Sequence, residues 1–138
     1  MKQKTLHILL ACKEPSSFAA FSQVLSEDSR LKISQASSAE RSLQTMRKRS
    51  IDVAVVADEL QDKSGLQFVR EIVADNPFIN CALASPLYPQ EFHEQTEGLG
   101  VFMQLAVDPD AEAARQMLIL LENLNQLRKP IQKDRKQQ

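Results

Sequence analysis

The sequence predicts an α/β fold in which a parallel sheet is covered by helices on both faces. Short apolar runs alternate five times with segments whose apolar residues recur at helical spacing. The run at residues 51–57 is rich in valine and has no alternation of polar residues, which is typical of a strand buried on both faces. Strands that alternate with helices pair in parallel, because each helix carries the chain back to the start of the next strand.

The length and composition indicate one globular domain. The chain has 138 residues, of which 43% are hydrophobic and 25% are charged. A domain of this size buries roughly two-thirds of its unfolded surface. We predict that residues 1–127 form this domain and that residues 128–138 form a disordered basic tail.

The first two strand–helix units are predicted between residues 5 and 48. A strand at 5–11 is followed by a helix that opens at 15–17 and carries four apolar residues, Phe18, Phe21, Val24 and Leu25. A second, shorter strand is predicted at 31–35. The sequence Ser37-Ser38-Ala39-Glu40 predicts a capping box, in which a serine oxygen accepts from a free backbone N–H and Glu40 bonds back.

Three further units complete the prediction. The strand at 51–57 leads through a polar loop into a helix that begins at Ser64-Gly65. Pro77 and Pro86 bracket a strand at 79–84, and a short helix is expected at 91–97. The last strand is predicted at 101–105. Asp108-Pro109-Asp110 then starts a long final helix, since proline and acids are favoured near the first turn.

The final helix, predicted at 111–127, carries two apolar stripes. One stripe, expected to face the sheet, consists of Ala114, Met117, Leu118 and Leu121. The second stripe consists of Ala113, Leu120, Leu124 and Leu127. This second stripe predicts either a broad core contact or an exposed seam that buries a partner helix or a second copy of the chain.

The distribution of charge and of apolar residues bears on whether the protein binds nucleic acid or a membrane. Residues 125–138 carry five cations against one acid, a net charge of +4, which leaves −5 for residues 1–124. The basic segment is short and has no aromatic side chain to stack on bases, so nucleic acid is not an expected partner. No window has the roughly 18 apolar residues of a membrane span. We therefore expect a cytoplasmic protein that binds no membrane.

The segment IDVAVVADELQDKSGLQF, residues 51–68, resembles the third strand, loop and helix of bacterial response-regulator receiver domains, the CheY-like family. The family pattern has an acid early in the strand, the phosphoacceptor aspartate five residues later, and Ser-Gly or Asp-Gly eight residues beyond that. Asp52 and Gly65 both place the acceptor position on Ala57. The resemblance implies a doubly wound, flavodoxin-like sheet of five parallel strands in the order 2-1-3-4-5.

The other chemical positions of the family are also substituted. Where receivers carry acids for Mg²⁺ at the end of the first strand, this chain has Cys12 and Lys13, and only Glu14 remains acidic. The Ser or Thr of the fourth strand corresponds to Ala84, and the lysine of the fifth strand corresponds to Leu105. A hard cation needs several oxygen ligands, and a lysine there would repel it. We therefore predict no metal and no cofactor.

The resulting prediction is a stand-alone, atypical receiver that is not an enzyme. It would act in two-component signalling by binding a signalling protein, or by pairing with itself through the last helix, without phosphorylation. Two alternatives stay open: a working receiver that is phosphorylated with Mg²⁺ on the displaced acid Asp58, and a small-molecule binder at the crevice between the first and third strands. We also hypothesise that Lys13 pairs with Asp58 or Glu14, and that Cys12 is a packed thiol rather than a reactive one.

Overall fold

Five parallel strands form a single sheet in the order β2-β1-β3-β4-β5. A computed structural model describes residues 5–129. The strands are β1 (Leu6–Ala11), β2 (Leu31–Ala36), β3 (Val53–Val56), β4 (Asn80–Ala84) and β5 (Val101–Leu105). The helices are α1 (Ala19–Ser26), α2 (Ala39–Lys48), α3 (Gly65–Asp75), α4 (Pro89–Thr96) and α5 (Ala111–Asn123). The predicted doubly wound fold and strand order are confirmed.

The strand interior is buried on both faces because successive side chains point to opposite sides of the sheet. In β3, Val53 and Val55 belong to one core cluster, while Ala54 and Val56 belong to the other. All four side chains are fully buried. This double burial explains why the strand reads as a continuous apolar run rather than as an alternating one.

The helices divide between the two faces as a doubly wound sheet requires. Helices α1 and α5 pack on the first core cluster, to which they contribute Phe21, Leu25, Ala114, Met117 and Leu121. Helices α2, α3 and α4 pack on the second cluster, to which they contribute Ala39, Phe68, Val69, Ile72 and Phe92. The predicted helices on both faces are confirmed.

The first turn of α2 differs from the predicted capping box. Ser38 is the N-cap, and its hydroxyl accepts from the Arg41 N–H at 3.0 Å. Glu40 is therefore the second residue of the helix, one position before the place from which a side chain bonds back to the cap. The carboxylate of Asp62, in the loop after β3, accepts from the Ala39 N–H at 2.7 Å and the Glu40 N–H at 3.0 Å. A side chain distant in sequence thus completes the cap.

The last helix ends at Asn123, four residues before the predicted end at 127. Asn125 adopts a left-handed conformation, with φ of 61°. The N–H groups of Gln126 and Leu127 then donate to the carbonyl of Leu121, at 2.8 and 3.2 Å. This is a capping turn that satisfies free helix carbonyls, and asparagine tolerates the conformation it needs. The turn directs Leu127 back onto the core.

Arg30 joins the start of β2 to the end of α5. Its guanidinium contacts the carboxylates of Asp28 at 2.6 Å and Glu122 at 2.9 Å, and it donates to the carbonyl of Arg128. The carboxylates raise the pKa of Arg30, and the guanidinium lowers the pKa of Asp28. The predicted tail begins at 128, and beyond 129 it falls outside the described residues.

Candidate functional site

The carboxyl ends of the strands meet at one edge of the sheet, which is where doubly wound proteins place their sites. The register puts Ala11 of β1 beside Val56 of β3, and Ala84 of β4 beside Leu105 of β5. The Ala57 N–H donates to the Ala11 carbonyl at 2.8 Å, which extends the β1–β3 pairing by one residue. The edge therefore brings together the residues selected from the sequence on four different strands.

Ala57 occupies the centre of this edge. Its side chain is 5% exposed and belongs to the first core cluster. The loop that follows closes tightly, because the backbone carbonyl of Asp58 accepts from the Gly65 N–H at 2.9 Å and Glu59 forms an isolated β-bridge with Ser64. The only side-chain atom that Ala57 offers at this position is a buried methyl.

The neighbouring positions on β4 and β5 are apolar as well. Ala84 and Leu105 are adjacent across the two strands, and both are buried in the first core cluster. Beyond them the Ser85 N–H donates to the Leu105 carbonyl at 3.0 Å, which keeps the strands paired to their ends. The side chains of these two residues fill the core rather than line a polar site.

Cys12, Lys13 and Glu14, the three residues at the end of β1 that the sequence selected, lie in different environments. Cys12 is buried, and burial, followed by the nearby charge of Glu14, raises the pKa of its thiol. This agrees with a packed thiol. Lys13 and Glu14 are exposed.

The hypothesis that Lys13 pairs with Asp58 or Glu14 is wrong in this structure. No ion pair among residues 5–129 involves Lys13, whose backbone N–H instead donates to the Glu59 carbonyl at 3.3 Å. The physical reason is the exposure of its side chain. An ion pair between solvated groups stabilises by at most about 1 kcal/mol and is offset by lost side-chain entropy.

Magnesium, which the family resemblance implies, does not fit the residues at this edge. Mg²⁺ demands near-octahedral oxygen coordination, usually with one or two carboxylates. At the ends of β1 and β3, Cys12, Lys13 and Ala57 offer a buried thiol, an exposed ammonium and a buried methyl, and the acids next to them in sequence are the exposed Glu14 and the partly buried Asp58. Within residues 5–129, no group of three His, Cys, Asp or Glu side chains is arranged to hold a metal ion.

Asp58, the alternative acceptor, lies one residue past the end of the pairing. The observed register pairs Ala11 with Val56, and the Ala57 N–H donates to the Ala11 carbonyl, so the one-residue shift that would centre Asp58 is not present. Asp58 is partly buried and lines a cleft of about 250 Å³ between the loops after β3 and β4. Apolar residues dominate the floor of this cleft, among them Leu66, Leu83, Leu87 and Phe92.

Gln104 is a site residue that sequence reasoning missed. Its amide donates to the carbonyls of Ser85 at 3.2 Å and Leu87 at 2.8 Å, and so it holds the loop after β4 against β5. The Ser85 hydroxyl supports the same loop by accepting from the Leu87 N–H at 3.1 Å. The sequence feature that could have identified it is a polar residue in an otherwise apolar strand, one position before the end of β5.

Asp52, which helped to fix the register in the sequence, lies at the opposite edge of the sheet. Its carboxylate accepts from the His7 N–H at 2.9 Å, and its own N–H donates to the His7 carbonyl at 2.9 Å. Asp52 thus joins the beginnings of β1 and β3. An acid at this position is explained here by its two hydrogen bonds to the backbone of His7.

Two clefts open at the carboxyl edge, on either side of the ends of β1 and β3, and ligand binding at the predicted crevice between these strands stays a prediction. One is the apolar cleft beside Asp58. The other has a volume of about 350 Å³ and lies between the ends of β1 and β2 and helix α2. Cys12 lines the second cleft but not the first.

The predicted seam on α5 is only partly exposed. Leu127 is 6% exposed and Ala113 packs against the first core cluster, so the alternative of a broad core contact describes these two residues. Including Leu127 in an exposed seam was wrong, because the turn at Asn125 folds it inward. Leu120 is half-buried, whereas Leu124 is 47% exposed and the unpredicted Ile119 is 48% exposed.

The sequence matches no family model and no curated protein. Within residues 5–129, no helix has the length and apolar character needed to cross a membrane.

Solved structures are similar in fold. The signal receiver domain of an HD domain-containing protein from Pseudomonas fluorescens is 19% identical with a TM-score of 0.74, and the match covers 91% of this chain and 90% of that one. The receiver domain of AraT, a response regulator from Geobacillus stearothermophilus, is 16% identical with a TM-score of 0.75, over 88% and 97% of the two chains. The chemotaxis response regulator CheY4 of Vibrio cholerae is 15% identical with a TM-score of 0.74, over 86% and 99%. The chain therefore has the fold of response-regulator receiver domains.

Proposed function

We propose that this chain is a receiver-fold module of two-component signalling that acts through protein contacts without being phosphorylated. One observation carries the proposal. The position to which the family resemblance assigns the phosphoacceptor holds the buried methyl of Ala57, and the buried side chains of Ala84 and Leu105 lie at the ends of the next two strands. Phosphoryl transfer requires an acceptor oxygen and stabilisation of developing negative charge, and these three residues provide neither.

The carboxyl edge of the sheet then has a structural role. In place of a charged cluster, the ends of β3, β4 and β5 extend the hydrophobic core. Gln104 and Ser85 hold the loop after β4 through three hydrogen bonds. These contacts are neutral, so they do not depend on a phosphoryl group. They therefore support one fixed conformation of the loop after β4, with or without phosphate in solution.

The proposed contact surface lies on α5. Ile119 and Leu124 are large apolar side chains that are about half exposed, and Leu120 is next to them. Burial of such side chains is favourable by roughly 25 cal/mol per Å² of apolar area. We propose that they bury against a signalling protein or against α5 of a second copy.

Treatment with acetyl phosphate, or with beryllofluoride, in the presence of Mg²⁺ tests the absence of phosphorylation. The intact mass should not change, and the amide NMR spectrum should keep its peak positions at residues 57–65 and 84–88. A CheY-like receiver that carries its acceptor aspartate is the positive control for the reagent. A gain of one phosphate that disappears in Asp58→Asn would contradict the proposal and favour the displaced acceptor.

Light scattering on the intact chain tests the surface on α5. We expect a dimer mass for the unaltered chain and a folded monomer for the double variant Ile119→Glu with Leu124→Glu. Gln67→Glu adds a negative charge at an exposed position of α3, on the opposite face of the sheet, and should leave the dimer intact. A monomer mass for the unaltered chain would eliminate self-association and leave a different protein as the only partner on this surface.

A further inference from the structure

A polar cleft lies between the carboxyl ends of β1 and β2 and the exposed side of α2. Its volume is about 350 Å³, within the range of small-molecule sites. Polar and charged side chains from α2 line one side, and Gln35 and Pro15 line the other. We call this site the basic cleft.

Helix α2 presents a continuous polar face to the basic cleft. Arg41, Gln44, Thr45 and Lys48 lie at positions i, i+3, i+4 and i+7, which share one side of a helix. The opposite side of α2 packs on the second core cluster through Ala39, Leu43 and Met46. Because the core fixes the rotation of the helix, the four polar residues are held towards the cleft.

Within residues 5–129, the lining of the basic cleft carries an excess of positive charge. Arg41 and Lys48 are its charged residues, and no acidic residue lines it. By contrast, Arg30, Lys63 and Arg115 each contact a carboxylate. None of the ion pairs formed within residues 5–129 includes Arg41 or Lys48. A cavity with two cations and no acid attracts anions.

We infer that the basic cleft binds a small organic anion, a metabolite that carries a phosphate or carboxylate group. A guanidinium binds either group with two parallel hydrogen bonds, so Arg41 is the anchor. Lys48 lies two helical turns away, about 10 Å along the axis, and supplies a second positive charge for a ligand of that length. Gln35 and Gln44 offer amide groups to the neutral, polar part of the ligand.

This inference does not depend on the proposed signalling function, because it concerns neither Ala57 nor the α5 surface. It also differs from binding at the crevice between β1 and β3, because neither Ala57 nor Asp58 lines the basic cleft. A ligand in the basic cleft would contact β2 and α2.

Calorimetric titration at low ionic strength tests the inference with three probes: AMP, inorganic phosphate and succinate. We expect saturable one-to-one binding of at least one probe, with a Kd below about 10 mM. Binding of AMP or inorganic phosphate would indicate phosphate recognition, and binding of succinate would indicate carboxylate recognition. Arg41→Gln should weaken binding about tenfold or more, as expected for loss of a charge-assisted bidentate contact.

Arg47→Gln is the matched control. It removes the same charge from the same helix at an exposed position that does not line the cleft. This variant should bind within about twofold of the unaltered chain when the titration is repeated at about 0.15 M ionic strength, where a Debye length of about 8 Å screens a solvated charge that does not contact the ligand. Amide NMR shifts caused by the probe should concentrate at residues 35–48.

Three results would overturn the inference. The first is no saturable binding of any probe at about 10 mM. The second is equal weakening by Arg41→Gln and Arg47→Gln, which would indicate a diffuse basic surface. The third is a combined result in which the small probes do not bind, whereas a DNA oligonucleotide or anionic vesicles do bind, and Arg41→Gln and Arg47→Gln weaken that binding equally. Circular dichroism would confirm that each variant is folded.

Discussion

A Cβ atom placed on Gly65 would lie 1.8 Å from the carbonyl oxygen of Ala57. Real Cβ atoms essentially never come closer than 3.0 Å to such an atom. The start of α3 therefore rests directly on the end of β3, and only a residue without a side chain permits this contact. The Gly65 N–H also donates to the Asp58 carbonyl at 2.9 Å, which fixes the loop between the two elements.

Gly65→Ala should lower the free energy of unfolding by about 2–3 kcal/mol, because the backbone of β3 or α3 has to move to admit the methyl group. Urea denaturation would measure the loss. Gln67→Ala, at an exposed position two residues later, should change stability by less than about 0.5 kcal/mol. Equal stability of Gly65→Ala and the unaltered chain would show that the contact is not rigid.

Asp62→Ala should free the first amides of α2. The Asp62 carboxylate accepts from Ala39 and Glu40, and these bonds hold the pKa of the carboxyl below its usual range. Since Asp62 is solvent-exposed, we expect a loss of only about 0.5–1 kcal/mol, similar to the loss of a helix cap. Hydrogen exchange should become faster at Ala39 and Glu40. Gln61→Ala is the neighbouring control, and faster exchange there would indicate a general loosening of the loop.

A double-mutant cycle of Arg30→Met and Glu122→Gln should give a coupling energy of about 1 kcal/mol, because the two side chains are mostly buried. The exposed pair Arg115 and Glu112 provides the comparison. For this pair we expect at most about 0.5 kcal/mol. Coupling energies that are equal in the two cycles would contradict a special role for Arg30 in joining β2 to α5.

The stability of the domain should fall at alkaline pH because of Cys81. Burial raises the pKa of this thiol to about 12, whereas an unfolded cysteine titrates near 8.5. The folded chain keeps the proton longer than the unfolded chain, so this contribution is complete below pH about 8.5 and is lost as the pH rises towards 12.

Urea denaturation at pH 8 and at pH 9.5 would measure the effect. The unaltered chain should lose roughly 1 kcal/mol more than Cys81→Ala over this interval. If the free energy of unfolding falls equally in the two proteins, the Cys81 thiolate does not destabilise the folded chain. In the native chain at pH 8, Cys81 should also react with thiol reagents more slowly than in urea, because its thiol is buried.

The fold could be predicted from the sequence because each element follows from local pattern. The valine-rich run in β3 and the helical spacing of Phe68, Val69 and Ile72 both reflect burial that the structure shows. The extent of α5 was predicted less well. The stripe of leucines continued to 127, but a single left-handed residue, Asn125, ended the helix and turned Leu127 into the core.

The contacts between distant residues could not be predicted from local pattern. The bonds from Asp62 to α2 and from Gln104 to the loop after β4 join segments that lie 22 and 17 residues apart. No periodicity records such pairs, because they depend on how the loops meet after the sheet forms. The basic cleft was missed for the same reason, since its two walls come from different strand–helix units.

The turn after α5 also determines where the chain can be cut or extended. Leu127 lies in the core and the Arg128 carbonyl is bonded to Arg30, so the described chain leaves the domain beside the start of β2. That edge is opposite to the one formed by Ala57, Ala84 and Leu105. A fluorescent protein or affinity tag fused directly after residue 129 would start far from the loops that follow the strands. Truncation before residue 127 would instead remove part of the core.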